Sequence, residues 1–135
     1  MKAMLNVDGA SRGNPGQASC AAVIRTEDAR QRELGFYLGV ATNNVAEYTA
    51  LIAGLSECLE MGVDEVSIRS DSELCVRQIT GEYKVKNEGL SVLHRRVLGL
   101  LSRFGKWEIR HIPREENKAA DSISNRVLDL RALLN

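Results

Sequence analysis

The chain has 135 residues, 44% apolar and 27% charged, with two prolines and no low-complexity stretch, which excludes a disordered chain and suffices for one domain with its own core. Eighteen basic residues balance eighteen acidic ones, so the net charge shows no dedicated polyanion binder, although basic residues outnumber acidic ones between Lys84 and Lys118 and allow a local cationic face. No apolar run is long enough for a membrane span, the N-terminus lacks the apolar stretch of a signal peptide, and Cys20, Cys58 and Cys75 form no CxxC pair; together these predict a soluble cytoplasmic protein with buried free thiols.

Met4 to Asp8 alternates apolar and polar residues and predicts a first strand ending at Asp8, followed by a tight turn around Pro15-Gly16. Ser19 to Thr26 and Glu33 to Val40 are strand-like, so the three segments suggest an antiparallel meander. From Asn44 to about Met61 the period changes: Leu51, Leu55 and Leu59 recur every four residues beside Tyr48 and Ile52, and Gly62 ends an amphipathic helix. Val63 to Ser70 is a strand with Val66 and Ile68 on one face, and Ser72 to about Gly81 a short helix. Leu90, Leu93, Val97, Leu100, Leu101 and Phe104 mark another helix, and Trp107 to Ile112 a strand. The last helix is expected to start near Glu115 and to continue in broken form, its leucine-rich end from Val127 to Leu134 packed on the sheet. A mixed sheet with helices against it is the simplest arrangement.

Four carboxylates stand at informative places, and each has a purely structural explanation. Asp8 suits a turn; Asn44-Val45-Ala46-Glu47 has capping-box spacing; Asp71 suits a helix N-cap; Asp121 borders the stripe of Ala120, Ile123 and Val127. Yet Glu47, four residues before Leu51, extends the core-facing stripe, where an unpaired charge is costly. Neighbouring strand ends can bring four acids to one point, where repulsion raises their pKa values unless cations neutralise them. Asp and Glu oxygens suit magnesium or manganese, and two such ions roughly 4 Å apart can activate water and stabilise the leaving oxygen of a phosphodiester.

Val7-Asp8-Gly9 with Arg12-Gly13-Asn14-Pro15-Gly16 resembles the opening motif of type 1 ribonuclease H. Thr42-Asn43-Asn44-Val45-Ala46-Glu47 is similar to the second motif of that family, Ser70-Asp71-Ser72 to its third, and the stretch from His111 to Asp121 to its fourth. The resemblance covers essentially the whole chain. It implies an α/β ribonuclease H-like fold: a five-stranded mixed sheet, three antiparallel strands then two parallel, with helices on both faces, in one domain over residues 1–135. It implies an endonuclease that cuts the RNA strand of RNA/DNA hybrids with two Mg2+ or Mn2+ ions, leaving 5′-phosphate and 3′-hydroxyl ends; no obligatory protein partner is evident in the sequence, and a monomer is expected. Asp8, Glu47, Asp71 and Asp121 would be the metal ligands, with Asp8 between both ions. His111 would assist proton transfer or product departure. Ser11, Asn14, Thr42, Asn43, Asn44, Glu73 and Asn117 match substrate-side positions, Thr42 at a DNA phosphate and Ser11 and Glu73 near the RNA ribose; Lys84 and Lys86, in Tyr83-Lys84-Val85-Lys86-Asn87, would add charge.

The chain departs from some relatives in lacking a basic protrusion after the third helix and an arginine near Val40-Ala41, and, with Asp8 arriving so early, a hybrid-binding domain ahead of it is not expected. Modest, salt-sensitive affinity is therefore expected. Arg95, Arg96 and Arg103 read as a solvated helix face. The alternatives are a non-catalytic nucleic-acid-binding module of the same fold, or a related nuclease acting on double-stranded RNA.

Overall fold

Alternating apolar and polar side chains favour extended backbone, and the first third of the chain forms three long antiparallel strands, β1 (Lys2–Gly13), β2 (Gly16–Thr26) and β3 (Gln31–Ala41). The structure, a computed structural model, describes residues 1–134. Next come α1 (Asn43–Glu60), β4 (Glu65–Ser70), α2 (Glu73–Ile79), α3 (Glu88–Leu101), β5 (Lys106–His111), a 3-10 turn over Arg114–Glu116, and α4 (Lys118–Leu134). The sheet order is β3-β2-β1-β4-β5, with β4 parallel to both β1 and β5. This is the expected mixed sheet. Among the described residues no helix is long and apolar enough to cross a membrane.

β1 runs past its expected end. Gly9, Ala10, Ser11 and Arg12 continue the ladder opposite Cys20, Ser19, Ala18 and Gln17, so Asp8 lies within the strand, opposite Ala21, and not at its end. Small residues hide the apolar alternation there, while backbone bonding to β2 keeps the segment extended. The turn itself falls where the sequence suggests, across Gly13–Gly16, and Gly13 takes φ +108. On its other side β1 pairs with β4 only as far as Val7↔Ser70. Beyond that pair β4 ends while β1 runs on, and a crevice opens between Asp8 and Asp71 at the carboxyl end of β4, the kind of place where ligands bind in open α/β sheets.

The two sheet faces are covered unequally. α1 and α3 cover one face with a large apolar cluster that includes Leu5, Val7, Ile24, Tyr48, Leu51, Leu55, Ile68, Val97 and Leu101. Full burial of each such leucine or valine is worth about 1.5–3 kcal/mol. α4 covers the other face with a small cluster in which Ala21, Val23 and Ala120 are buried. α4 is continuous, preceded by the 3-10 turn, so the expected start near Glu115 and broken course are corrected. Its leucine-rich end is also corrected: Leu128 is buried, but Leu130, Leu133 and Leu134 are 55%, 80% and 81% exposed. Ile123 and Val127 lie over Gly35 of the edge strand β3, and in the last turn it is Arg131, with its guanidinium 4.9 Å from the Tyr37 ring centroid, that faces β3 while the leucines around it point away.

Candidate active site

α1 is capped by Thr42, whose Oγ1 accepts from the Val45 amide at 3.2 Å, and not by Asn44. Glu47 is thereby free of the capping-box role and turns onto the sheet, only 6% exposed. Gly9 permits this approach, because a Cβ there would lie 2.4 Å from the Ala46 carbonyl carbon and the Glu47 nitrogen. Asp71 is free in the same way: Ser72 caps α2 by accepting from the Cys75 amide at 3.3 Å, leaving the half-buried Asp71 at the mouth of the crevice.

Asp8, itself 4% exposed, completes the group. One carboxylate oxygen from each of Asp8, Glu47 and Asp71 lies within 4.8 Å of the others. Burial, followed by the charges of Asp71 and Asp121, pushes Asp8 up to about 6 against the opposing hydrogen bond from Ser124. Burial and then the Asp8 charge raise Glu47 well above the usual carboxylate range, and burial and then Asp121 raise Asp71. Glu47 Oε2 is buried without a hydrogen-bond partner among the described residues. Crowded carboxylates with an unmet acceptor are the donor set a hard divalent cation requires, so these residues fit such an ion.

Asp121, in the first turn of α4, lines the same cleft of about 390 Å³ but does not join the three-oxygen cluster. Its Oδ1 instead accepts from Arg114 Nη2 at 3.3 Å. Ser11 and Asn43 also line the cleft. Asn14, Thr42 and Asn44 line a neighbouring hollow together with Asn43, Asn87, Leu74 and Leu90. Asn14 Oδ1 accepts from the Asn43 amide at 3.1 Å and so ties the β1–β2 turn to the start of α1.

The other expected residues lie outside both recesses. Glu73 is exposed and pairs with Arg77 at 3.1 Å. Lys84 and Lys86 are exposed between α2 and α3. His111 is exposed at the end of β5, opposite Ser70, one strand away from Asp71. Asn117 requires a correction. It is 1% exposed, its Nδ2 donates to the Val7 carbonyl at 2.8 Å, and its Oδ1 accepts from Asn6 at 3.0 Å. With its amide engaged by β1 and bearing also on the Asp71 carboxyl, it sits behind the cleft acids and supports them.

Several residues in or behind the cleft carried no expected role: Arg12, Arg114 and Asn125 line it, and Ser124 is buried behind it. Arg12 reaches Asp129 at 2.6 Å, Arg114 holds Asp121, Ser124 donates to Asp8, and Asn125 donates to the Asp121 carbonyl at 2.9 Å. Ser124 and Asn125 follow Asp121 by three and four residues, a helical spacing that signals one shared face.

A family model described as reverse transcriptase-like matches residues 6–127. A ribonuclease HI of Halobacterium salinarum is 42% identical over 123 residues, 90% of this chain and 62% of that protein. A bifunctional protein of Mycobacterium tuberculosis is 40% identical over 134 residues, 98% of this chain but 37% of that protein, so the chain spans only part of these curated relatives. The crystal structure of ribonuclease H1 from Halobacterium salinarum superposes with a TM-score of 0.91 at 40% identity, covering 96% of this chain and 98% of the other. LC11 ribonuclease H1, isolated from compost and crystallised in complex with an RNA/DNA hybrid, gives 0.88 at 40% identity, covering 97% and 99%.

Proposed function

The chain belongs to the reverse transcriptase-like family and, within it, to the type 1 ribonucleases H, and from this premise we propose that it hydrolyses the RNA strand of RNA/DNA hybrids endonucleolytically. The observation that carries the reading is the convergence of Asp8, Glu47 and Asp71 in an open cleft with one buried carboxylate oxygen unpartnered. Asp8, Glu47 and Asp71 would hold magnesium or manganese, with Asp121 joining them for a second ion once it leaves Arg114. The chemistry supplied by divalent ions at such a site is activation of water and neutralisation of charge on the leaving oxygen, which leaves 5′-phosphate and 3′-hydroxyl ends.

The chain's own residues supply recognition. Ser11 and Asn43 border the acids, where a hydroxyl and an amide can read a ribose 2′-hydroxyl and its phosphate, while Asn14, Thr42 and Asn44 grip the backbone in the neighbouring hollow. In this reading the exposed Glu73 would approach the RNA ribose, Lys84 and Lys86 would add screened attraction for phosphates, and His111, at the end of β5, would aid proton transfer or product departure. Every carboxylate comes from one chain, so a monomer suffices. Three buried free cysteines suit a reducing compartment such as the cytoplasm.

The test is cleavage of labelled RNA/DNA hybrid, duplex RNA and duplex DNA by the protein and its Asp8→Asn variant with magnesium or manganese. The expected result is cutting of the hybrid's RNA strand, falling more than roughly a hundredfold in the variant. Products ending in 2′,3′-cyclic phosphate, or binding without any cleavage, would overturn it, the latter in favour of a binding module.

A further inference from the structure

Ser124 is fully buried on α4, one helical turn after Asp121, and its Oγ lies 2.5 Å from Asp8 Oδ2. A serine hydroxyl carries one proton, and inside a helix its usual acceptor is a carbonyl one turn back. That carbonyl, of Asp121, lies 3.0 Å from the hydroxyl but already accepts from Asn125 Nδ2 at 2.9 Å. The carboxylate oxygen is both the nearer acceptor and the charged one, so the proton goes there, where the bond is charge-assisted. Among the described residues it is the one side-chain hydrogen bond that Asp8 receives, and it engages a single oxygen, leaving the other for a ligand.

We infer that Ser124 is a positioning residue for the cation site: its hydroxyl fixes the orientation of the Asp8 carboxylate and thereby sets the affinity of the Asp8–Glu47–Asp71 cluster for divalent cations. Hydrogen-bond partners one layer behind metal ligands characteristically govern ligand orientation and affinity. The inference rests on the cluster being a cation site, as the proposed function requires. The competing explanation is that Ser124 merely fastens α4 to the sheet, and the fold contains its own control. Ser19 Oγ, equally buried on β2, donates to the Ser124 carbonyl at 2.6 Å, a fastening of the same helix to the same sheet that touches no carboxylate.

The experiment is calorimetric titration with Mn2+ of the full chain and its Ser124→Ala, Ser124→Thr and Ser19→Ala variants, with thermal melting of each and, for active proteins, hybrid cleavage against Mg2+ concentration. Ser124→Ala is expected to weaken Mn2+ binding about tenfold and to raise the Mg2+ concentration needed for half-maximal activity, with KM for hybrid unchanged at saturating Mg2+. Ser19→Ala should lower the melting temperature while binding Mn2+ as the parent does, and Ser124→Thr should retain affinity. Equal weakening in Ser19→Ala and Ser124→Ala, unchanged affinity in Ser124→Ala, or no Mn2+ binding by the parent would overturn the inference. A parent that binds Mn2+ with this Ser124 dependence yet cuts no hybrid would support it while removing the nuclease reading.

Discussion

The two faces of the sheet are built on different physics. Under α1 and α3, large side chains such as Leu51, Leu55 and Ile68 are fully buried, and stability there follows apolar area. Under α4, alanines take their place and polar ties do the fastening: Ser19 to Ser124, Ser124 to Asp8, Asn117 to Val7 and Asn6. Asp8 is on the α4 side and Glu47 comes from α1, so the carboxylates collect where the two regimes meet. A close-packed core gives the strands a rigid base, while the hydrogen-bonded side orients polar groups that a wholly apolar contact would leave unsatisfied.

Paired substitutions break this comparison most sharply. Glu47→Gln is expected to reduce hybrid cleavage more than roughly a hundredfold while leaving the melting temperature in chelator unchanged or higher, since a buried like charge is removed. Leu51→Ala should do the reverse, costing about 2–5 kcal/mol by chemical denaturation with specific activity retained in whatever remains folded. If Leu51→Ala abolished activity in folded protein, or Glu47→Gln unfolded the chain, the division between the faces would fail.

A smaller effect is expected at Asn117, which belongs to the polar side without reaching the cleft surface. Asn117→Ala leaves the Val7 carbonyl and the Asn6 amide without their partner and should cost about 1–3 kcal/mol. Its KM for hybrid should not change, and a KM rise at constant stability would restore Asn117 as a substrate contact.

The smallest shift concerns pH. Asp8 has a folded pKa of about 6 against an ordinary 3.8, and Glu47 is raised in the same direction, so the folded chain binds more protons than the unfolded one. Their contribution is fully present below the ordinary carboxylate range and is lost as pH rises through the folded values. In chelator, melting temperature should therefore fall by a few degrees, on the order expected for such shifts, between pH 5 and pH 8, and divalent cations should narrow that fall. A melting temperature that rises over this interval in chelator would mean that the carboxylates are not crowded.

Much of this molecule was legible in one dimension because hydrophobic periodicity is local. The four-residue recurrence of Leu51, Leu55 and Leu59 marks α1, the alternation from Met4 and from Glu33 marks strands, and the residues from Asp8 to Gly16, with those around Glu47, Asp71 and Asp121, carry the family resemblance. Only the tertiary structure decided the rest. Gly9 to Arg12 are extended because β2 pairs with them, Asn117 is buried because β1 offers it a carbonyl, and Asp121 faces Arg114 while Ser124 takes Asp8. The reason is common to all four: a hydrogen bond or ion pair depends on a partner brought close by folding, whereas an apolar stripe needs only its own spacing to declare which face turns inward.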